Sequence, residues 1–342
     1  MTSSPQAKPE GLKLVVIMPA LNEDPTVADT IRQMPRRIDG IGSIEVLVID
    51  DGSTDATAGQ ARAAGATVIS HGRRQGVGAA FKTGLAAALE MGADIIANID
   101  ADGQFDPQTL PALLAAVISG QADFATASRF ADPALTPEMP AVKLRGNRIM
   151  SRLISRMIGQ RFYDVSCGMR CYNRRAAMNL NTIGAFTYTQ EVFLNLAYKR
   201  LRMVEVPIKV HGRRKHGTSR VAGNVFKYAF NAMGIIFRCY RDYRPMRFFG
   251  RLAAGLILPG IGLELFLLVH YLRTGEFSPH KWAGFTGGAL LVLGLLLLHM
   301  AIIGDMLNRH RIYLEELLYQ QRLQSWKPNN HASPQDRKNR QG

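Results

Sequence analysis

Cysteine is scarce in this chain: Cys167, Cys171 and Cys239 are the only three in 342 residues. So few exclude a disulfide framework. The C-x3-C spacing of Cys167 and Cys171, with no second Cys or His pair nearby, also argues against structural zinc. They read as reduced core or loop residues. Tryptophan is limited to Trp282 and Trp326. Acid is in deficit as well, with 27 Asp and Glu against 42 Lys and Arg, a formal charge of +15 and a pI near 10.0. That balance calls for a polyanionic partner: nucleic acid, an anionic membrane surface or a phosphorylated substrate. Residues 1–12 (MTSSPQAKPEGL) lack the basic, apolar and cleavage regions of a signal peptide. They read as a disordered N-terminus, and the domain that follows is expected in the cytoplasm. The apolar fraction, 47%, is high enough to fill a sizeable core.

Long hydrophobic runs are confined to the last third. Residues 252–272 (LAAGLILPGIGLELFLLVHYL) are broken only by Glu264, and 282–304 (WAGFTGGALLVLGLLLLHMAIIG) carry no formal charge. Each reaches the roughly 20 residues that a helix needs to cross a bilayer. The short link between them predicts a transmembrane hairpin with both outer ends on one side. RCYRDYRPMRFFGR (238–251) precedes the first run with a net charge of +4, and Arg309 and Arg311 follow the second. By the positive-inside rule both ends are cytoplasmic, and the basic stripe suits anionic headgroups. Glu264 is costly in mid-span. Its depth differs from that of His299 by about 10 Å at ~1.5 Å per residue, which argues against a pair. A protonated carboxyl, or one facing a second subunit, fits better, so an oligomer is compatible with the span. Residues 224–240 read as an amphipathic interface helix and 224–251 as a juxtamembrane segment. Residues 305–342 read as a cytoplasmic helix (EELLYQQR, 315–322) and a disordered tail after Lys327.

Residues 13–223 alternate strand and helix. Strand text recurs at LKLVVIMPA, IEVLVIDDGS, ATVISH and ADIIANIDADG, with helices near 26–34, 56–64, 77–92 and after Pro107, which Asp106 caps. Buried strands alternating with helices predict an α/β, doubly wound, mostly parallel sheet. Ligands bind such sheets at the carboxyl ends of the strands. Here those ends read MPALNE, DDGSTD and DADGQ, so acids gather at one edge. Carboxylates crowded together need a cation or donors between them. If the fourth strand persists, Asp100, Asp102 and Gln104 point the same way, and hard oxygen ligands of this kind suit Mg2+ or Mn2+. A solvated turn would give the same D-x-D text; the neighbouring acidic strand ends favour the metal.

The ordered set MPALNE (18–23), DDGSTD (50–55), GRRQGVGAAFKTG (72–84), DADGQFDP (100–107) and SRF (128–130) resembles the family 2, GT-A-fold glycosyltransferases. CGMR (167–170), VEVPI (204–208) and RKHGTSR (214–220) make the chain similar to the polyprenyl-phosphate sugar synthases, the dolichol-phosphate mannosyltransferase type and its bacterial relatives. The resemblance covers about 13–245. It implies that Pro19, Leu21, Glu23, Ile49 and Asp51 hold the base and ribose of a nucleotide sugar. It also implies that Ala101 passes its backbone close by, and that Asp100, Asp102 and Gln104 carry the metal. Glu23 as a helix cap is the simpler alternative.

The acceptor implied is a polyprenyl phosphate. Its phosphate is largely ionised at neutral pH, with a second pKa of about 6, so cations rather than a dedicated base are needed. Arginine's planar fork suits that task. The candidates are Arg129, Arg148, Arg214 and Arg220, of which Arg214 and Arg220 are equally suited to the donor diphosphate and are counted in the donor set. Asp164 and Glu191 complete a catalytic set with Asp100, Asp102 and Arg129; either could be a base or a sugar-hydroxyl ligand. The preferred reading pairs Asp164 with Arg170 as an internal salt bridge. The implied reaction is an inverting transfer of a hexose, from GDP-mannose or UDP-glucose, to polyprenyl phosphate at the cytoplasmic leaflet. A membrane-bound transferase acting on another glycolipid or a polysaccharide is the alternative. The absence of Q-x-x-R-W, with both tryptophans outside the catalytic domain, disfavours a processive synthase. A nucleic-acid-binding module would explain the pI but leaves the acidic strand ends unused, so no nucleic-acid partner is expected.

Overall fold

A computed structural model describes residues 11–181, 188–211, 233–234, 237–238 and 240–326. The chain divides into two compact units, Met1–Met233 with Leu318–Gly342, and Gly234–Leu317. Of the described residues beyond the second apolar run, 305–317 fall in the second unit and 318–326 in the first.

The first unit is built on β1 (Leu12–Ala20), β2 (Ile41–Asp50), β3 (Thr67–Ser70), β4 (Ile95–Asn98), β5 (Phe124–Ser128), β6 (Arg170–Asn173) and β7 (Met203–Pro207). Their order is β3-β2-β1-β4-β6-β5-β7. Every pairing is parallel except the two made by β6. The β-branched run Leu14–Met18 is fully buried because helices cover both faces of β1. Helices α1 (Val27–Arg32), α2 (Thr57–Ala63), α3 (Val77–Glu90) and α4 (Leu110–Ile118) follow the first four strands. Asp106 caps the turn leading into α4, accepting from the N–H of Gln108 at 2.9 Å, as expected. Beyond β5 come α5 (Ala141–Ile158), α6 (Arg174–Asn179) and α7 (Thr189–Tyr198).

The second unit holds most of two long helices, α8 (Pro245–Thr274) and α9 (Lys281–Ser325), joined by Gly275–His280. Both are long and apolar enough to cross a membrane, with window mean hydropathies of 2.2 and 2.3. They contain the two runs read from the sequence and extend past them. The helices pack antiparallel through small residues. A Cβ built on Gly260 or Gly287 would lie 3.1 Å from the other's carbonyl oxygen, and one on Gly294 would lie 2.5 Å from Ile257. Glu264 therefore faces α9 of its own chain, its Oε1 2.8 Å from the position of a Gly287 Cβ. The last turns of α9 belong to the first unit: Arg322 donates to the carbonyls of Met178 and Leu180 at 2.6 and 3.2 Å, and Arg174 donates to the carbonyl of Trp326.

Candidate functional site

The strand order brings the acidic ends of β2, β1 and β4 to one edge, as the pattern implied. The alternation argument needs correction, however. β4 stops at Asn98, so the pleat does not align positions 100, 102 and 104. A turn through Ala101–Gly103, with Gly103 at φ +70°, sets them instead. Asp102 is 2% exposed and accepts the N–H of Gln104 at 3.0 Å, which closes the turn. Thr26 holds it from the α1 side, donating to the carbonyl of Ala101 at 2.7 Å. Gln104 lies outward, its amide 3.4 Å from the carbonyl of His211.

Asp100 rests in a cradle that depends on glycine. A Cβ on Gly168 would stand 2.4 Å from Asp100 Oδ2, so any other residue there would occupy the carboxylate's place. The Gly168 carbonyl accepts from Asn98 Nδ2 at 2.8 Å, and the same amide donates to Tyr188 Oη at 3.0 Å. Burial pushes the Tyr188 phenol well up, and the negative charge of Asp100 adds to that. Two carboxylates at a strand-end turn, with hard oxygens and a glycine-made recess, fit Mg2+ or Mn2+ completed by substrate phosphates. Among the described residues no group of three or more His, Cys, Asp or Glu side chains is disposed to hold a metal by itself.

Pro19 and Ile49 are register partners on β1 and β2. Ile49 is fully buried, its side chain against Gly84 of α3 and its main chain within β2, between β1 and β3. Leu21 and Glu23 are half-buried just past β1. The main-chain carbonyl of Glu23, rather than its carboxylate, takes the N–H of Val27 at the start of α1. Asp51 is 4% exposed and latches the loop before α3: its oxygens accept from the N–H groups of Gln75 and Gly76 and from His71 Nδ1, at 2.8–2.9 Å. His71 in turn bonds Thr83 at 3.0 Å. Sequence reasoning missed His71, although it sits at the carboxyl end of β3, where the strand-end rule would have flagged it.

The expected Asp164–Arg170 bridge does not form. Asp164, fully buried, is held by Arg129 through a two-pronged contact, Nε to Oδ2 at 2.6 Å and Nη2 to Oδ1 at 2.9 Å. Arg170 points the other way, donating to the carbonyls of Cys167, Thr189 and Val165 among the rings of Phe124, Tyr188 and Phe193. Asp164 precedes β6 in a loop, whereas Arg170 opens the strand and is fully buried in the core. Burial pushes the Asp164 carboxyl up, yet the Arg129 charge and the surrounding donors outweigh it and hold the group below the usual carboxylate range. Both oxygens of Asp164 thus brace the Arg129 guanidinium. Glu205, also missed, grips the same loop from β7, accepting from the N–H groups of Tyr163 and Asp164 at 2.8 and 2.7 Å. Burial raises its pKa above the ordinary carboxylate value despite those bonds.

One strand, β6, lies between β4 and β5. Two spacings of ~4.8 Å put the ends leading to Asp100 and Arg129 about 10 Å apart on one edge. Glu191 is buried on the first turn of α7. Arg148 is exposed on α5, off the buried stripe of Met150, Ser151 and Ile154. Arg214 and Arg220, and most of the 224–240 helix, lie outside the described residues. Cys167 and Cys171 are buried and unbridged, as read; burial pushes the Cys167 thiol to about 12 and Cys171 higher still. A cavity of about 230 Å3 lies on the α1 side of the turn, lined by Thr26, Asp29, Gly103, Asp106 and His211 among others. Neither aspartate of the turn lines it, so it adjoins the site without being part of it.

Residues 15–180 match the model of Glycosyl transferase family 2. The chain belongs to that family. An uncharacterised protein of Methanocaldococcus jannaschii is 31% identical over 224 residues, 64% of this chain and 90% of that one. An undecaprenyl-phosphate 4-deoxy-4-formamido-L-arabinose transferase of Salmonella paratyphi B is 25% identical over 327 residues, 90% of this chain and 94% of the relative. Among solved structures, glucosyl-3-phosphoglycerate synthase from Mycobacterium tuberculosis, in complex with Mn2+, UDP and phosphoglyceric acid, superposes with a TM-score of 0.53 at 23% identity. That match covers 67% of this chain and 79% of the synthase, and it shows the shared GT-A fold. As a family 2 member the chain is a glycosyltransferase.

Proposed function

We propose that this enzyme transfers a hexose, with inversion, from GDP-mannose or UDP-glucose to a polyprenyl phosphate at the cytoplasmic face of a membrane. The observation that carries the reading is the Asp100–Asp102 turn, seated on Gly168 at the carboxyl edge of the sheet. Those carboxylates, with Gln104, would hold a divalent cation, which neutralises charge growing on the leaving diphosphate. Support for a metal comes from the Mn2+ and Mg2+ complexes of the synthase of the same fold. The ends of β1 and β2, with Leu21, Glu23 and the loop latched by Asp51, would take the nucleoside. Arg129, its fork squared by Asp164, would present N–H donors to the acceptor phosphate. Arg148, Arg214 and Arg220 would add charge around the two phosphate groups, and Glu191 a contact to the sugar.

The lipid acceptor is supported by the Salmonella relative, whose name specifies undecaprenyl phosphate and which matches 90% of this chain. The two apolar helices supply an anchor, and five arginines between 238 and 251 favour the cytoplasmic side. α5 adds a further basic surface. Val142, Arg145, Ile149, Arg152 and Arg156 recur at helical spacing and are all exposed, a mixed apolar and cationic stripe suited to headgroups.

The test is a membrane assay offering radiolabelled GDP-mannose, UDP-glucose and UDP-GlcNAc with undecaprenyl or dolichyl phosphate. Label from one of the first two donors should enter a lipid-phosphate product, and EDTA should stop it. Turnover that survives EDTA would remove the metal from the reading. Label entering polysaccharide alone would move the acceptor to the alternative class.

A further inference from the structure

The loop that carries Asp164 is fastened to α5 by a ladder of polar side chains that the proposed reaction does not use. Ser155 Oγ accepts the N–H of Phe162 at 2.9 Å, Ser151 Oγ accepts that of Val165 at 3.3 Å, and Asn147 Oδ1 accepts from Ser166 Oγ at 3.0 Å. These three positions are spaced by four, so they fall on one face of the helix. The last rung reaches the arginine. Ser166 Oγ also accepts from Arg129 Nη2 at 2.9 Å, the same nitrogen that bonds Asp164.

A hydroxyl has one proton to give, and two acceptors stand near that of Ser166. Asp164 Oδ1 is at 3.1 Å and Asn147 Oδ1 at 3.0 Å. The carboxylate is already saturated. Oδ1 takes Arg129 Nη2 and the N–H of Ser166, and Oδ2 takes Arg129 Nε and the N–H of Arg129. Four N–H donors fill the four lone-pair directions of an ionised carboxyl. The serine proton therefore goes to Asn147, which orients the Ser166 lone pair toward Arg129. Without Asn147 the hydroxyl would turn to Asp164 and compete with the guanidinium for Oδ1.

We propose that Asn147 is a positioning residue for acceptor binding: acting through Ser166, it fixes the plane in which Arg129 offers its donors to the phosphate. This rests on the reading of Arg129 as an acceptor-phosphate ligand. The experiment measures binding of citronellyl phosphate, a short soluble polyprenyl phosphate, to the detergent-solubilised full chain by titration calorimetry. The variants are Asn147→Ala, Ser166→Ala, the double variant and Arg129→Ala, each with its unfolding midpoint recorded.

Asn147→Ala and Ser166→Ala should each weaken binding about fivefold, the equilibrium equivalent of one neutral hydrogen bond. The double variant should be no weaker than Ser166→Ala alone, because one acts through the other. Binding of the donor nucleotide should stay within about twofold, which a general loss of structure would not allow. If Arg129→Ala weakens binding while Asn147→Ala does not, or if the two single effects add, the positioning role is wrong and the reading of Arg129 stands. If Arg129→Ala itself leaves binding unchanged, the reading of the site fails and this role falls with it.

Discussion

Gly168 and Asp123 show how single residues govern the site and the stability of the first unit. A Cβ at position 168 would meet Asp100 Oδ2 at 2.4 Å, and the movable partner is the carboxylate. Gly168→Ala should therefore displace Asp100 by a fraction of an ångström to an ångström, enough to lower turnover about 100-fold. The unfolding midpoint should stay near that of the parent chain; a large fall would show that the glycine serves the fold instead. Asp123, 2% exposed, accepts from Arg202 and Asn173, and the Arg202 donors outweigh burial to lower its pKa from 3.8 to about 2. A lowered carboxylate pKa contributes stability that is complete above the unfolded value, near 4, and is lost as pH falls toward 2. Because Arg202 is 57% exposed, that contribution is on the order of 1–2 kcal/mol. Asp123→Asn should destabilise the protein at pH 6, with the difference between parent and variant shrinking below pH 4 and vanishing only as pH falls through about 2 in unfolding experiments. A constant difference across that range would contradict the linkage.

At the scale of elements, the paired helices of the second unit depend on backbone proximity. Gly287 faces Gly260 and the Glu264 carboxyl, whereas a Cβ on Gly288 would find its nearest atom at 3.7 Å, ordinary contact. Gly287→Leu should force α8 and α9 apart at an overpacking cost of about 1–3 kcal/mol, while Gly288→Ala should be nearly neutral. Thermal unfolding in detergent distinguishes them, and equal effects would refute the packing. Much of this level was readable beforehand. The first four strands were legible from β-branched runs, the apolar helices from length, and the Asp106 cap from its place before Pro107, whereas β5, β6 and β7 were not read as strands. What periodicity could not give was the end of β4 at Asn98. The D-x-D text continues the alternation of a strand, and only the Gly103 turn, closed by Asp102 on Gln104, shows that the ladder has already stopped. Nor could it separate Arg129 from Arg170 as the partner of Asp164. Both are near in sequence or motif, and the choice is made by tertiary packing, which places Arg129 on Asp164 and Arg170 on the carbonyls of Cys167, Thr189 and Val165.

For the whole molecule, the unexpected feature is the return of the chain to the first unit. Arg322 takes carbonyls at the end of α6 and Arg174 takes the carbonyl of Trp326, so the C-termini of two helices are capped by side chains. A chain ending after Leu317 should lose both caps and unfold at lower temperature than the parent. Identical midpoints would show that the contact adds nothing. The charge of +15 also has a distribution that the total conceals: the first unit carries a basic face on α5 and a strand edge lined with acids, and arginines flank the apolar runs in the sequence.

The recess beside Gly168 carries a consequence for variation in this enzyme. The space that receives the Asp100 carboxylate is the volume of a methyl group that nineteen of the twenty amino acids would fill. Randomising that codon and selecting for glycosyl transfer should return one answer, because no larger side chain leaves the vacancy and no rotamer restores it.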